Sequence, residues 1–228
     1  MKQVTTAEVS RYREAGIQAS TDPTHPLHLL PKVPPGARRI LDVGCHAGHT
    51  LEALRLPDDC EIFGCDINTE ALELARKCLP RATFTPAKAE ELPYEDSYFD
   101  FVFARSGVHV FEIPRALLEL NRVLKPGGKL WISLHRWKDI LCILKGTLHA
   151  HPIKTFLFGT YVVMNSALFH GTGKLIRYPL NRSRILTFQT ERRMRRELQK
   201  AGFTAIQVSD NKFFVMEADR TRHHTQMS

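Results

Sequence analysis

The sequence lacks several patterns that would settle its class at once. Its five cysteines, Cys45, Cys60, Cys65, Cys78 and Cys142, show no paired metal-ligand spacing, so they read as small buried hydrophobes of a reducing compartment. The longest apolar region is interrupted by Lys154, Gly159, Asn165 and His170, which excludes a membrane span there. Met1 to Arg13 is polar and charged and shows no signal peptide, so the expected location is cytoplasmic. No internal repeat or low-complexity tract is present, which leaves out repeat architectures. A dinucleotide fingerprint opening at Gly44 would need glycine at 46 and 49, where His46 and His49 stand, so nicotinamide is not the expected cofactor.

What is present fits an ordinary globular chain. The 228 residues are 43% hydrophobic and 25% charged, enough for one α/β domain over residues 1–228 that buries a full core. Residues 1–36 form an N-terminal arm: a helix over Thr6–Gln18, then a proline-rich covering loop. The net charge of +8 is uneven, with thirteen Lys or Arg against three acids between Leu134 and Lys200. That half would meet an acidic partner, a phosphate or an anionic membrane face; the alternative is a solvated basic surface.

The stretch Arg39–Thr50 organises the chain. Ile40, Leu41 and Val43 form the short apolar run of a strand covered on both faces; Gly44 and Gly48 then supply a permissive turn, and a helix follows. Strands and helical patterns alternate onward, which predicts a mostly parallel sheet. The strands are expected at Glu61–Cys65, Ala82–Thr85, Phe99–Ala104 and Lys129–Leu134, the last after a sharp turn at Lys125–Gly128. Asn68 or Thr69 caps one helix and Pro114 opens another. Residues 135–188 break the alternation and read as a helical insertion or lid. Thr190 opens a basic helix to Ala201, and Phe203–Ser209 with Lys212–Glu217 reads as a hairpin.

Five motifs in this order, Leu41–Gly48, Gly64–Ile67, Ala89–Pro93, Phe99–Val102 and Arg122–Gly128, make the chain resemble class I S-adenosylmethionine-dependent methyltransferases of the ubiquinone- and menaquinone-biosynthesis type. The resemblance covers roughly Ile40 to Glu217. It implies a Rossmann-like seven-stranded sheet with an antiparallel last strand and helices on both faces, and S-adenosylmethionine as cofactor. Ligands of such sheets bind beyond the carboxyl ends of the strands, at the switch point beside strand one. The implied cofactor residues are Asp42, Gly44, Cys45, His46 and Gly48 of the turn, Asp66 for the ribose hydroxyls, Ile67 beside the adenine, Ala89 and Glu90 at its edge, and Ala104 and Arg105 beside the methionine arm. Asp66 could instead begin a helix, Glu90 could be a solvated charge, and Arg105 an ordinary ion-pair member. The family usually carries glycine at His46 and often an acid at Lys88.

Methyl transfer from a sulfonium needs a base only when the acceptor must lose a proton. His109, in the Ser106–Phe111 stretch after strand four, is the candidate base; the alternative is a packed histidine. No metal site is expected, since Cys45, His46 and His49 on one turn lack a fourth ligand. The expected acceptor is a small or lipid-like molecule, with peripheral contact to an anionic membrane surface as a further expectation. The apolar clusters Ile140–Leu144, Phe156–Phe158 and Tyr161–Phe169 would line its chamber, and Lys145, Lys154, Lys174, Arg177, Arg182 and Arg184 would ring it. An RNA methyltransferase, or a non-catalytic scaffold of the same fold, is the alternative. Against RNA stands the absence of an Asn/Asp-Pro-Pro-Tyr/Phe motif and of a proline–cysteine nucleophile.

Overall fold

Residues 6–105, 107–148, 152–180 and 185–221 are described by the computed structural model. Ser106, Arg182 and Arg184, and the side chains of Ile143, Leu144 and Lys145, lie outside the described residues. Seven strands form: β1 (Arg39–Val43), β2 (Glu61–Asp66), β3 (Thr83–Pro86), β4 (Phe99–Ala104), β5 (Leu124–Leu134), β6 (Phe203–Asp210) and β7 (Phe214–Arg220). They join one sheet in the order β3-β2-β1-β4-β5-β7-β6. The pairings from β3 to β5 are parallel, and β7 runs antiparallel to both β5 and β6.

Alternation along the strands supplies a core on each face. Leu41, Val43, Val102 and Ala104 pack with Ile113, Leu117 and Leu120 of α4 (Ile113–Val123) and with Met194 and Leu198 of α7 (Glu191–Lys200). Ile40, Ile62, Phe101 and Phe103 point the other way, onto Leu51 of α2 (His49–Ala53) and onto Leu72 and Ala75 of α3 (Thr69–Cys78). Each such aliphatic side chain, once buried, contributes about 1.5–3 kcal/mol. Asn68 fixes where α3 starts: its Oδ1 accepts the Ala71 N–H at 3.0 Å.

The Lys125–Gly128 turn differs from expectation by being absorbed into β5. Leu124 already pairs with Phe99, and the register then shifts before Phe101 meets Lys129. The segment is therefore an irregularity within a long strand, with Gly127 at φ +79°. The remaining helices are α1 (Thr6–Thr21) in the arm, and α5 (Trp137–Leu148) and α6 (Pro152–Thr172) in the insertion. No helix among the described residues is long and apolar enough to cross a membrane.

Candidate active site

The turn after β1 is tied to the end of β2. The N–H groups of Gly44 and Cys45 both donate to the Cys65 carbonyl, at 2.8 and 3.0 Å. Gly44 has φ +78°, and a Cβ built there would point at Phe111 Cζ, 3.5 Å away, and at Gly107 Cα. The missing side chain thus leaves a cradle between the turn and the residues that follow β4. His46 also has positive φ, +48°, a conformation that glycine adopts more readily than a residue with a side chain. Its N–H is held by Asp66 Oδ2 at 2.8 Å, while Asp66 Oδ1 accepts the Asn68 N–H at 2.9 Å.

A cavity of about 1090 Å³ opens over these strand ends. Asp42, Gly44, Cys45, His46, Asp66, Ile67, Ala89, Glu90 and Arg105 all line it. Ile67 is 72% exposed, an apolar shelf beside the Asp66 carboxylate. Glu90 accepts the Glu112 N–H at 2.6 Å, so it is not a free loop charge. Gly48 and Ala104 lie beneath the wall rather than in it: a Cβ on Gly48 would meet the Phe84 ring at 3.1 Å, and Ala104 is fully buried.

The N-terminal arm closes the far side. Tyr12 lies against the His46 ring with centroids 4.4 Å apart. Arg13 donates to the Ala47 carbonyl and pairs with Glu52. Gly16 meets His49 so closely that a Cβ would stand 2.6 Å from the imidazole. Arg105 binds the arm at two points, donating to Ser20 Oγ at 2.5 Å and to the Leu27 carbonyl at 3.3 Å, and it also donates to Thr50 Oγ1 at 3.3 Å. It is an anchor for the arm as well as a cavity residue, and not the surface ion pair of the alternative reading.

Burial sets the protonation of the wall. It raises the pKa of Asp42 well above the usual carboxylate range; the Arg105 guanidinium opposes that rise and Asp66 adds to it. His49 is pushed down to about 4, mainly by burial and then by the charges of Arg105, His46 and Arg13. Burial lowers Arg105 itself, with Asp42 opposing.

His109 does not line the cavity. Its ring lies 4.1 Å from that of His135, and burial followed by the His135 charge pushes it down to about 3. His135, one residue past β5, does line the cavity, and burial lowers its pKa with Asp139 opposing. Its backbone is fixed on both sides, its N–H donating to Gln189 Oε1 and its carbonyl accepting the Gln189 N–H, each at 2.8 Å. Sequence reasoning missed His135, Tyr12 and Gly16, since none stands in a recognisable motif.

The insertion contributes His135, Arg136, Asp139, Cys142, Arg177 and Ile185 to the wall, but no residue of α6. Phe156–Phe158 and the Tyr161–Phe169 cluster therefore do not line the chamber, contrary to expectation. Nor is the basic run at 192–196 wholly a free surface: buried Arg193 pairs with Glu197, and Arg195 with Glu191. Among the described residues no group of three or more His, Cys, Asp or Glu could hold a metal ion.

Residues 41–132 match the family model described as "Methyltransferase domain". The matched segment and the sheet order together support a class I S-adenosylmethionine-dependent methyltransferase. Demethylmenaquinone methyltransferase of Chlorobaculum tepidum is similar at 36% identity over 95 residues, 41% of this chain and 39% of that protein. The chain thus spans about two fifths of the length of the curated relatives it matches. Among solved structures, the complex of the Haloferax volcanii Trm112 methyltransferase activator with a methyltransferase aligns with a TM-score of 0.62 at 17% identity, over 97% of this chain and 100% of that one. Haemonchus contortus phosphoethanolamine N-methyltransferase 2 aligns with a TM-score of 0.62 at 15% identity, over 97% and 58%. At such identities the likeness is one of fold.

Proposed function

We propose that this protein transfers a methyl group from S-adenosylmethionine to a small-molecule or amphiphilic acceptor held in the same cavity. The observation that carries the reading is the cavity itself. One continuous space of about 1090 Å³ runs from Asp66 and Ile67 past the Gly44 cradle to Ser133–Arg136, with room for two molecules. The residues suit the cofactor. Each Asp66 oxygen accepts one backbone N–H, and a carboxylate has further lone pairs for ribose hydroxyls. Ile67 offers an apolar face for adenine, and the Gly44 cradle offers space for the methionine arm. When bound, S-adenosylmethionine supplies an electrophilic methyl on a sulfonium.

This chain's own work is then alignment and exclusion of water, by the cradle on one side and the arm on the other. His135, kept neutral by burial, is the group placed to take a proton from an acceptor that must lose one. His109 packs behind it as a positioning residue. The ion pairing within the basic helix weighs against an RNA acceptor.

Calorimetry with S-adenosylmethionine and S-adenosylhomocysteine tests the first half. Absence of binding at millimolar ligand would overturn the reading in favour of a scaffold. Incubation with radiolabelled donor and fractionated extract, followed by mass spectrometry of labelled product, tests the second.

A further inference from the structure

The outward side of α6 is apolar. Ile153, Phe156, Leu157, Val163 and Met164 recur at helical spacing on one face and are 48–75% exposed. Asn165 and Ser166 of the same helix turn inward and are buried. Asn165 donates to the Leu186 carbonyl at 3.1 Å and accepts the Ile176 N–H at 2.8 Å. Ser166 Oγ accepts from Thr187 Oγ1 at 3.0 Å and from the Phe188 N–H at 3.2 Å. The hydrogen-bonding side chains thus stitch α6 to the chain after it, and the outward stripe has no protein cover among the described residues. A contiguous apolar face of this kind marks an interaction surface.

Charge selects the occupant. Residues 135–188 hold eight Lys and Arg against Asp139 alone. Lys154 is exposed in the first turn of α6, at the flank of this stripe, and Lys138 is exposed on α5, which packs on α6. Trp137, 60% exposed at the start of α5, adds the amphipathic ring favoured at a membrane–water boundary. A second copy docked by a twofold axis would set these cations against their own kind. No described helix can span a bilayer, so the face would lie along a surface.

We propose that the outward face of α6 is a docking surface for an anionic lipid membrane, with Phe156, Val163 and Met164 entering the acyl boundary and Lys154 meeting the headgroups. The proposal stands independently of the acceptor's identity. It gives the insertion a second role, since α5 also supplies Asp139 and Cys142 to the cavity wall.

The test uses the full chain with vesicles of phosphatidylcholine alone and of phosphatidylcholine mixed with phosphatidylglycerol. Co-sedimentation is expected with the anionic vesicles and should weaken as salt rises. The double variant Phe156→Ser, Met164→Ser should reduce binding by roughly tenfold or more at unchanged melting temperature. Lys154→Glu, an independent reading should the double variant melt lower, should weaken binding at low salt. Failure to bind anionic vesicles at low salt overturns the proposal, and so does binding that neither variant weakens. A dimer dissociated by the double variant, with no vesicle binding, would assign the face to a second copy instead.

Discussion

Asp66 Oδ2 accepts the backbone N–H of His46 at 2.8 Å, so the end of β2 holds the loop that follows β1. One carboxylate thereby does two things: it stabilises a positive-φ histidine and presents its remaining lone pairs to the cavity. Asp66→Ala should weaken S-adenosylmethionine and S-adenosylhomocysteine alike, by about 1.5–3 kcal/mol, because both carry the same ribose. Calorimetry with each ligand checks this, and loss confined to one would remove the ribose role.

Gly44→Val should abolish cofactor binding in a folded protein. The position has φ +78°, and the new side chain would extend from a Cβ already 3.5 Å from the Phe111 ring, filling the cradle. Circular dichroism establishes folding and a ligand titration gives the affinity. Wild-type affinity in a folded variant would take the cradle out of the site.

Gly16→Val should displace α1, since its Cβ would stand 2.6 Å from the His49 ring. Limited trypsin digestion should cut faster at Arg11 or Arg13 in the variant, while the sheet resists. Equal cleavage rates would show that the arm is not held by this contact.

His135→Gln should lower kcat by roughly 100-fold at little change in KM if the acceptor must lose a proton. Because burial lowers the His135 pKa, the wild-type acid limb should fall below the ordinary imidazole value of about 6.5. His109→Ala, which acts through its neighbour, should instead shift that limb. An unchanged profile in both variants would mean that no base is used.

Acid should destabilise the fold through buried imidazoles. His49 and His109 have folded values of about 4 and about 3 against an ordinary 6.5. The unfolded chain therefore binds more protons below pH 6.5. The stability these neutral rings contribute is complete above that value and is lost as pH falls toward 4 and 3. At pH 5 each ring held neutral costs about 2 kcal/mol. Urea denaturation at pH 7.5 and pH 5 should show a lower midpoint at pH 5; equal midpoints would mean that the rings are not held neutral.

Much of this was legible residue by residue. Ile40, Leu41 and Val43 are apolar because both faces of β1 are covered, and β4 matched its expected bounds because Phe99 to Ala104 alternates between two cores. The glycine turn and Asp66 announced the site through local chemistry. Three features had no local signal. Leu124 joins β5 only because Phe99 lies opposite it, a contact made by the sheet and not by the turn residues. His135 reaches the cavity through the position of β5, far in sequence from the motifs. The apolar clusters of α6 were visible, but their direction depends on which side bonds to Ile176, Leu186 and Phe188, and that is a tertiary fact.

The strand order carries a consequence for synthesis. β7 lies between β5 and β6, so the inner antiparallel strand is made after its neighbours on both sides. While the ribosome works from Leu134 toward Phe214, the free edge of β5 stays open, its N–H and C=O groups available to any passing extended chain. The sheet is sealed only when Phe214–Arg220 emerges and pairs across Lys129–Leu134. A ribosome stalled just short of Phe214 would therefore hold a domain whose cofactor strands are assembled but whose edge still invites aggregation.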